Sequence, residues 1–201
     1  MKYAIVCMIL LLLFGCANGL TGKKIQTDLS ASGKILVEHY FTSPDELRQI
    51  FLRDKAGDSA PIPLATYNRS AGVLFSPDEK WLTVNDHAGS NISEIRVFRQ
   101  TQGLHYKEAT DSHLHEKVWK LFHLRQHDLE LDFLHTYTVA ICWGPDSDSP
   151  LVEIHAAAIL LKDKSVVVHI GPWHCVYSIA KSVATDEPET LRQFESGVRC
   201  K

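Results

Sequence analysis

The stretch with the densest chemical potential is Asp86-His87-Ala88-Gly89-Ser90-Asn91, which sets a carboxylate, an imidazole, a hydroxyl and an amide on a glycine-bearing loop. Loops held by a rigid scaffold are where binding groups tend to be displayed. Adjacent residues of a strand point to opposite faces, so Asp86 and His87 form no relay from proximity alone. The same residue types also shape turns, Asp and Asn by bonding nearby backbone and Gly by accepting positive φ, and turn chemistry is the competing reading. Asp86, His87, Ser90 and Asn91 are the candidate ligand-binding residues. Trp173, which follows Gly171-Pro172, joins them as the tryptophan most suited to a carbohydrate surface. Trp81, Trp119 and Trp143 lie in patterned apolar segments, where core packing is expected.

The chain has 11 histidines, and His113, His115, His123, His127 and His135 cluster around one helical pattern. His123 and His127 would share a face only if the helix passed Arg125, and His113 and His115 diverge at its start. Exposed or capping histidines, and no metal site, are the expectation. Asp146-Ser147-Asp148 lacks the glycine and distal glutamate of a calcium loop and reads as a solvated turn. There is no nucleophile elbow, phosphate-binding glycine loop or dinucleotide fingerprint, and Trp119 stands where the zincin pattern begun by His115-Glu116 needs its second histidine. No catalytic residue and no cofactor are assigned. With 21 basic against 24 acidic residues and a net charge of −3, the chain has no electrostatic footprint for nucleic acid.

The amino terminus carries Lys2, an apolar run from Tyr3 to Phe14, and then the small residues Gly15, Ala17 and Gly19. About 12 apolar residues are too few for a hydrocarbon core of about 30 Å, and the order of charged, apolar and small residues is that of an export signal. Leu13-Phe14-Gly15-Cys16 resembles the lipobox of bacterial lipoproteins, with Phe14 bulkier than the usual residue at its place. The resemblance implies cleavage before Cys16, diacylation of its thiol and acylation of the new amino terminus, and several chains hold far longer than one. Ordinary secretion, with cleavage after Ala17-Asn18-Gly19, is the alternative. Ala17 after the cysteine implies an outer-membrane anchor facing the periplasm, since the family's inner-membrane retention uses Asp there.

The expected organisation is a signal peptide over 1–15, a lipid-anchored polar tether over 16–32, and one β-rich globular domain over 33–201. About 170 residues can bury roughly two thirds of their chain surface. Cys142 and Cys175 both fall in apolar runs, so buried free thiols are expected, with a bridge between them second; Cys200 is next to the last residue.

Internal repetition supplies the fold class. Ser43-Pro44-Asp45-Glu46 recurs as Ser76-Pro77-Asp78-Glu79, each followed by an apolar run ending in Asp-x-Ala-Gly, and Gly144-Pro145-Asp146-Ser147 is a degenerate third copy. Pro presets φ at the second turn position and Asp bonds its own backbone, so each copy is a hairpin turn. The segment Phe75-Ser76-Pro77-Asp78-Glu79-Lys80-Trp81-Leu82-Thr83-Val84 resembles the strand-turn-strand signature of TolB-type β-propeller repeats, with Glu79 where those repeats usually carry Gly. A propeller needs at least four blades, and this chain has material for two or three. The resemblance therefore implies a mainly β, propeller-like fragment closed as a small two-sheet body, with a ring completed by several chains as the alternative.

Strands are expected at Lys34 to Phe41, Leu47 to Arg53, Lys80 to Asn85, Ile92 to Phe98, Tyr137 to Trp143, Leu151 to Ile159, Ser165 to Ile170 and His174 to Ile179. From Asp111 to Arg125, the spacing of Leu114, Val118, Leu121 and Phe122 predicts one long amphipathic helix capped by Asp111 or Ser112. A short peripheral helix is expected from Glu187 to Glu195. The expected function is a lipid-anchored, non-catalytic envelope protein whose partners are the membrane, through its anchor, and an envelope protein or glycan. A hydrolase remains open, because paired carboxylates need spatial proximity and no fixed spacing. So does a periplasmic inhibitor or assembly factor.

Overall fold

The computed structural model describes residues 22–41, 47–57, 59–126 and 130–195. Within them the chain is mainly β. Four strands, β1 (Lys23–Leu29), β2 (Ile35–Phe41), β3 (Arg48–Asp54) and β4 (Ile62–Tyr67), form one antiparallel meander. A second meander follows, from β5 (Ser70–Phe75) through β6 (Trp81–His87) and β7 (Ile92–Gln102) to β8 (His105–Glu108). A third runs from β9 (Leu131–Trp143) through β10 (Pro150–Leu160) and β11 (Asp163–Ser178) to β12 (Val183–Thr185). The second and third merge into one eight-stranded sheet, because Ile92 and Ser93 of β7 pair in parallel with Thr136 and Tyr137 of β9. The first remains a separate sheet, and among the described residues the strands close no ring or barrel.

Two helices complete the described fold, α1 (Leu114–Arg125) and α2 (Pro188–Glu195). α1 buries Leu114, Val118 and Phe122 against Ile95, Val97, Val152, Ile154 and Tyr177, on one side of the large sheet. Each such side chain contributes about 1.5–3 kcal/mol when fully removed from water. The opposite side of the second meander meets the first sheet, through Ile35, Val37, Ile50 and Leu52 against Phe75, Leu82, Val84 and Phe98. α2 covers part of the third meander with Leu191 and Phe194 against Cys142, Leu151 and Val176.

Several sequence expectations are corrected. Residues read as tether contain strand β1, every residue of which is exposed; an edge strand with no buried face shows no alternation to detect. α1 begins at Leu114, its cap position is His113 at φ 49°, and Asp111 and Ser112 lie in a short 3-10 turn and make no side-chain cap. The two strands expected over 165–179 are one, β11, which crosses its irregularity at Gly171 without ending. The structure adds β4, β8 and β12, whose short segments lie at the outer end of each meander. Cys142 is disulfide-bonded and Cys175 is a buried free thiol, so the two neither bridge nor match. The remaining cysteines, Cys16 and Cys200 among them, lie outside the described residues.

The repeat is real at the level of hydrogen bonds. In the second copy Ser76 N donates to Trp81 O, Glu79 N donates to Ser76 O, and Asp78 Oδ1 accepts from Lys80 N, with Glu79 at φ 57°. In the third copy Gly144 N donates to Ser149 O, Ser147 N donates to Gly144 O, and Asp146 Oδ1 accepts from Asp148 N, with Ser147 at φ 60°. The two turns also meet, since Asp78 N donates to Ser147 Oγ at 3.1 Å. The first copy, Ser43 to Glu46, lies outside the described residues. It joins β2 to β3, whereas its counterparts join the first and second strands of their meanders, so β1 is an extra strand ahead of the repeat frame.

Candidate functional site

β6 ends by alternating its side chains between two interfaces. Asp86 points toward the first sheet, where its Oδ2 lies 3.8 Å from Arg96 Nη1. Its Oδ1 is buried without a hydrogen bond, and burial pushes the carboxyl above its ordinary range despite the Arg96 charge beside it. Arg96 is held firmly elsewhere: Nε and Nη2 donate to Glu108 at 3.0 and 2.7 Å, and Nη1 donates to Thr66 O at 3.0 Å. Asp86 and Glu108 thus converge on one guanidinium, Glu108 through two hydrogen bonds and Asp86 through a longer ion pair.

The rest of the predicted loop works through its backbone. Tyr137 Oη donates to Ser90 O, and Thr136 N donates to Asn91 O at 2.9 Å. Both bonds fasten the loop to β9. His87 closes β6 opposite Ser70. Trp173 lies elsewhere: on β11 it packs half-buried against Phe122 of α1, rings 5.4 Å apart and edge to face. Asp86 faces the first sheet and Trp173 faces the helix, so the five predicted residues do not converge on one site. Asp146 accepts from Ser149 within its own turn, and Asp148 accepts from Ser178 and Ala180 at the end of β11. Among the described residues no three of His, Cys, Asp or Glu stand where they could hold a metal ion; His127 lies outside them.

Two polar clusters went unnoticed in the sequence. On β10, Glu153 accepts from His155 Nε2 at 2.7 Å and from His174 Nε2 of β11 at 2.9 Å. Burial alone would raise this carboxyl, but the two imidazoles outweigh it and hold it below its ordinary value. Glu153-x-His155 at strand spacing was the available signal, because residues two apart share a face. Between β2 and β4, the fully buried His39 bonds Tyr67 Oη through Nδ1 at 2.8 Å, with Asp28 Oδ2 3.8 Å from its Nε2. No alternation rule could pair residues so far apart in the chain.

An open groove of about 620 Å³ lies where β1, β5 and β9 approach one another. Leu29, Val73, Phe75, Ile141 and Trp143 give it an apolar lining, and Ser32 adds a hydroxyl. Trp143 is fixed there by its Nε1 donating to Leu74 O at 3.2 Å. A smaller cleft of about 230 Å³ lies over Ala157, between His135, His155 and His169. No helix of the described residues is long and apolar enough to cross a membrane.

No protein-family model matches the chain, and no curated protein matches it. Among solved structures, it is similar to a protein designated TolB from Agrobacterium tumefaciens, at 13% sequence identity and a TM-score of 0.35. That similarity covers 83% of this chain and 63% of the other, so the chain spans less than two thirds of that protein's length.

Proposed function

We propose that the chain is exported, acylated at Cys16 and held at the cell envelope, where three propeller-like blades present a non-catalytic binding surface to an envelope protein or glycan. The observation that carries the binding reading is the open groove between β1, β5 and β9, which is concave, mainly apolar and bordered by a few fixed polar groups. The groups with chemical potential are meanwhile engaged by the scaffold: Asp86 with Arg96, Glu153 with two histidines, Asp146 within its turn and Asp148 with Ser178 and Ala180. Acylation rests on the lipobox resemblance at Leu13 to Cys16, and an outer-membrane anchor facing the periplasm on Ala17.

Intact mass of the natively expressed protein, beside its Cys16→Ser variant, tests the anchor. A chain starting at Cys16 with added acyl mass, absent from the variant, is expected; an unlipidated chain starting at Leu20 in both samples overturns it. The groove is tested by Val73→Trp, which fills it. That variant should lose crosslinking to its envelope partner while Val183→Trp, on the outer strand β12, retains it. Equal yields from both would remove the groove as the binding surface.

A further inference from the structure

Cys142 and Cys175 are separated by a single strand yet face opposite sides of the sheet. Across β10, Cys142 lies opposite Leu151 and Cys175 opposite Val152, and successive strand residues point to opposite faces. Cys175 accordingly joins Val152 and Tyr177 in the core beneath α1, whereas Cys142 joins Leu151, Val176 and Phe194 beneath α2. Register therefore keeps the two sulfurs apart. Burial pushes the Cys175 thiol up to about 12, so at neutral pH it holds no thiolate with which to enter an existing bond. Cys142 is nevertheless disulfide-bonded. Of the five cysteines in the chain, Cys7, Cys16 and Cys200 are left as its partner.

The end of α2 points to Cys200. Phe194, in the last turn of α2, packs with Cys142, and a Cβ built on Gly144 would stand 3.3 Å from its Cζ. Residues 142–144 thus lie under the end of the helix, and Cys200 follows Phe194 by six residues, a reach of up to about 20 Å. Cys16 has a longer way to come. Leu29 shares the groove with Cys142, but Lys23 stands at the far end of β1, about 20 Å away. The seven residues from Cys16 to Lys23 span at most about 25 Å, so only a nearly straight return along β1 would bring that sulfur to Cys142. Cys7 falls in the segment that export removes, and acylation occupies the Cys16 sulfur. These last two exclusions rest on the anchor reading above; the placement of α2 does not.

We propose that Cys142 is bonded to Cys200, and that the bond latches α2 and the chain after it to β9 at the wall of the groove. An eight-residue helix is not stable by itself, and the strand ahead of it, β12, has three residues. The loop closed between the two cysteines takes in β10, β11, β12 and α2, and closing it removes freedom from the unfolded chain over that whole stretch. Because Cys142 lines the groove beside Ile141 and Trp143, the latch also fixes one wall of the binding surface. Its formation needs an oxidising compartment, which export provides. There the Cys142 thiolate attacks the disulfide of a dithiol–disulfide oxidant, and the Cys200 thiolate displaces that oxidant from the mixed disulfide. One S–S bond forms in the chain, one breaks in the oxidant, and the oxidant leaves as a dithiol carrying the two protons.

The test is a tryptic map of the full natively purified chain, alkylated with and without prior reduction. Trypsin cuts after Arg125, Lys162 and Arg199, so the latch appears as residues 126–162 carrying the dipeptide Cys200-Lys201, and reduction separates the two. Cys142 alkylated without reduction, in a chain with acylated Cys16, overturns the latch and leaves the anchor standing. The dipeptide link in a chain without acyl mass overturns the anchor and leaves the latch. Residues 16–23 linked in place of the dipeptide would overturn both. Hydrogen exchange then reads the holding role: amides of α2 should exchange at least about tenfold faster in Cys200→Ser and in reduced wild type, with those of α1 unchanged. Equal exchange in the oxidised wild type and the variant would overturn the bond as a restraint on α2.

Discussion

Asn85 and Ala140 exchange two hydrogen bonds: Asn85 Nδ2 donates to Ala140 O and Ala140 N donates to Asn85 Oδ1, both at 2.8 Å. The side-chain amide of β6 thus pairs with β9 as a strand backbone would. Ser93 repeats the device one strand over, its Oγ donating to Thr138 O and accepting from Thr138 N. Only two residue pairs of β7 and β9 align directly, so these side chains extend a seam that backbone pairing leaves short. Together with the β7–β9 pairing they join the second and third meanders.

Asn85→Asp should separate this role from packing. The variant keeps the acceptor for Ala140 N but sets a carboxylate oxygen against Ala140 O, leaving that carbonyl without its donor. A loss of about 2–4 kcal/mol is expected at neutral pH by urea denaturation, against about 1–3 kcal/mol for Asn85→Ala. Acidification should recover part of the Asp variant's loss, since a protonated carboxyl donates again. No difference between the two variants at any pH would mean the seam does not depend on the amide.

Glu79 sits at φ 57°, a conformation that costs an ordinary residue roughly 1–2 kcal/mol and glycine almost nothing. Its side chain recovers some of this by accepting from Ser32 N at 3.3 Å in an exposed setting. Glu79→Gly should therefore be neutral or stabilising by up to about 1 kcal/mol in thermal melts. Ser147→Gly at the matching position of the third copy relieves the same strain at φ 60° but removes the acceptor for Asp78 N, so it should be about 1 kcal/mol less favourable than Glu79→Gly. A clear loss of stability in Glu79→Gly would show the strain argument to be wrong.

The turn chemistry was legible because it is local: Pro77, Asp78 and Asp146 act within a few residues of themselves, and their hydrogen bonds follow from sequence alone. The amphipathic pattern of Leu114, Val118 and Phe122 was legible for the same reason. What escaped was whatever depends on a partner distant in the chain. β1 shows no buried alternation because it is an edge, and β8 and β12 are too short to show one. The loop Asp86 to Asn91 looked like a binding loop because its residue types are rich, yet it is its carbonyl groups that hold β9. Trp173, after Gly171-Pro172, is the tryptophan most suited to a surface by sequence, whereas β11 passes through and delivers the ring to α1.

Gly171 makes that passage feasible. A Cβ built there would stand 2.7 Å from Ile154 O and 3.1 Å from His155 Cα, at φ 125°, where side chains are rarely accommodated. Gly171→Ala should cost about 2–4 kcal/mol in denaturant titrations and loosen β10 from β11 locally. Faster amide exchange around Ile154 and Trp173, with α1 amides little changed, would mark the local origin. A stability within about 0.5 kcal/mol of wild type would show that the strands part here without cost.

His39 should make the fold sensitive to mild acid. It is fully buried between the two sheets, and burial lowers its pKa from an ordinary 6.5, only partly opposed by Asp28. Above pH 6.5 the imidazole is neutral in the folded and unfolded states alike and stability does not depend on it. As pH falls below 6.5 the unfolded chain takes up a proton that the folded chain resists, so stability declines until the folded pKa is passed. His115 is shifted in the same direction by burial and adds to the slope. Glu153 acts in a separate, lower window: held below 4.5, it contributes stability that is lost as pH falls through its folded pKa. Urea midpoints measured between pH 7.5 and 5 should fall for wild type. They should fall less for His39→Gln, which retains a polar group near Tyr67 but cannot take up a proton in this range. An identical decline in both proteins would assign the acid sensitivity elsewhere, with His115→Gln the next variant to measure.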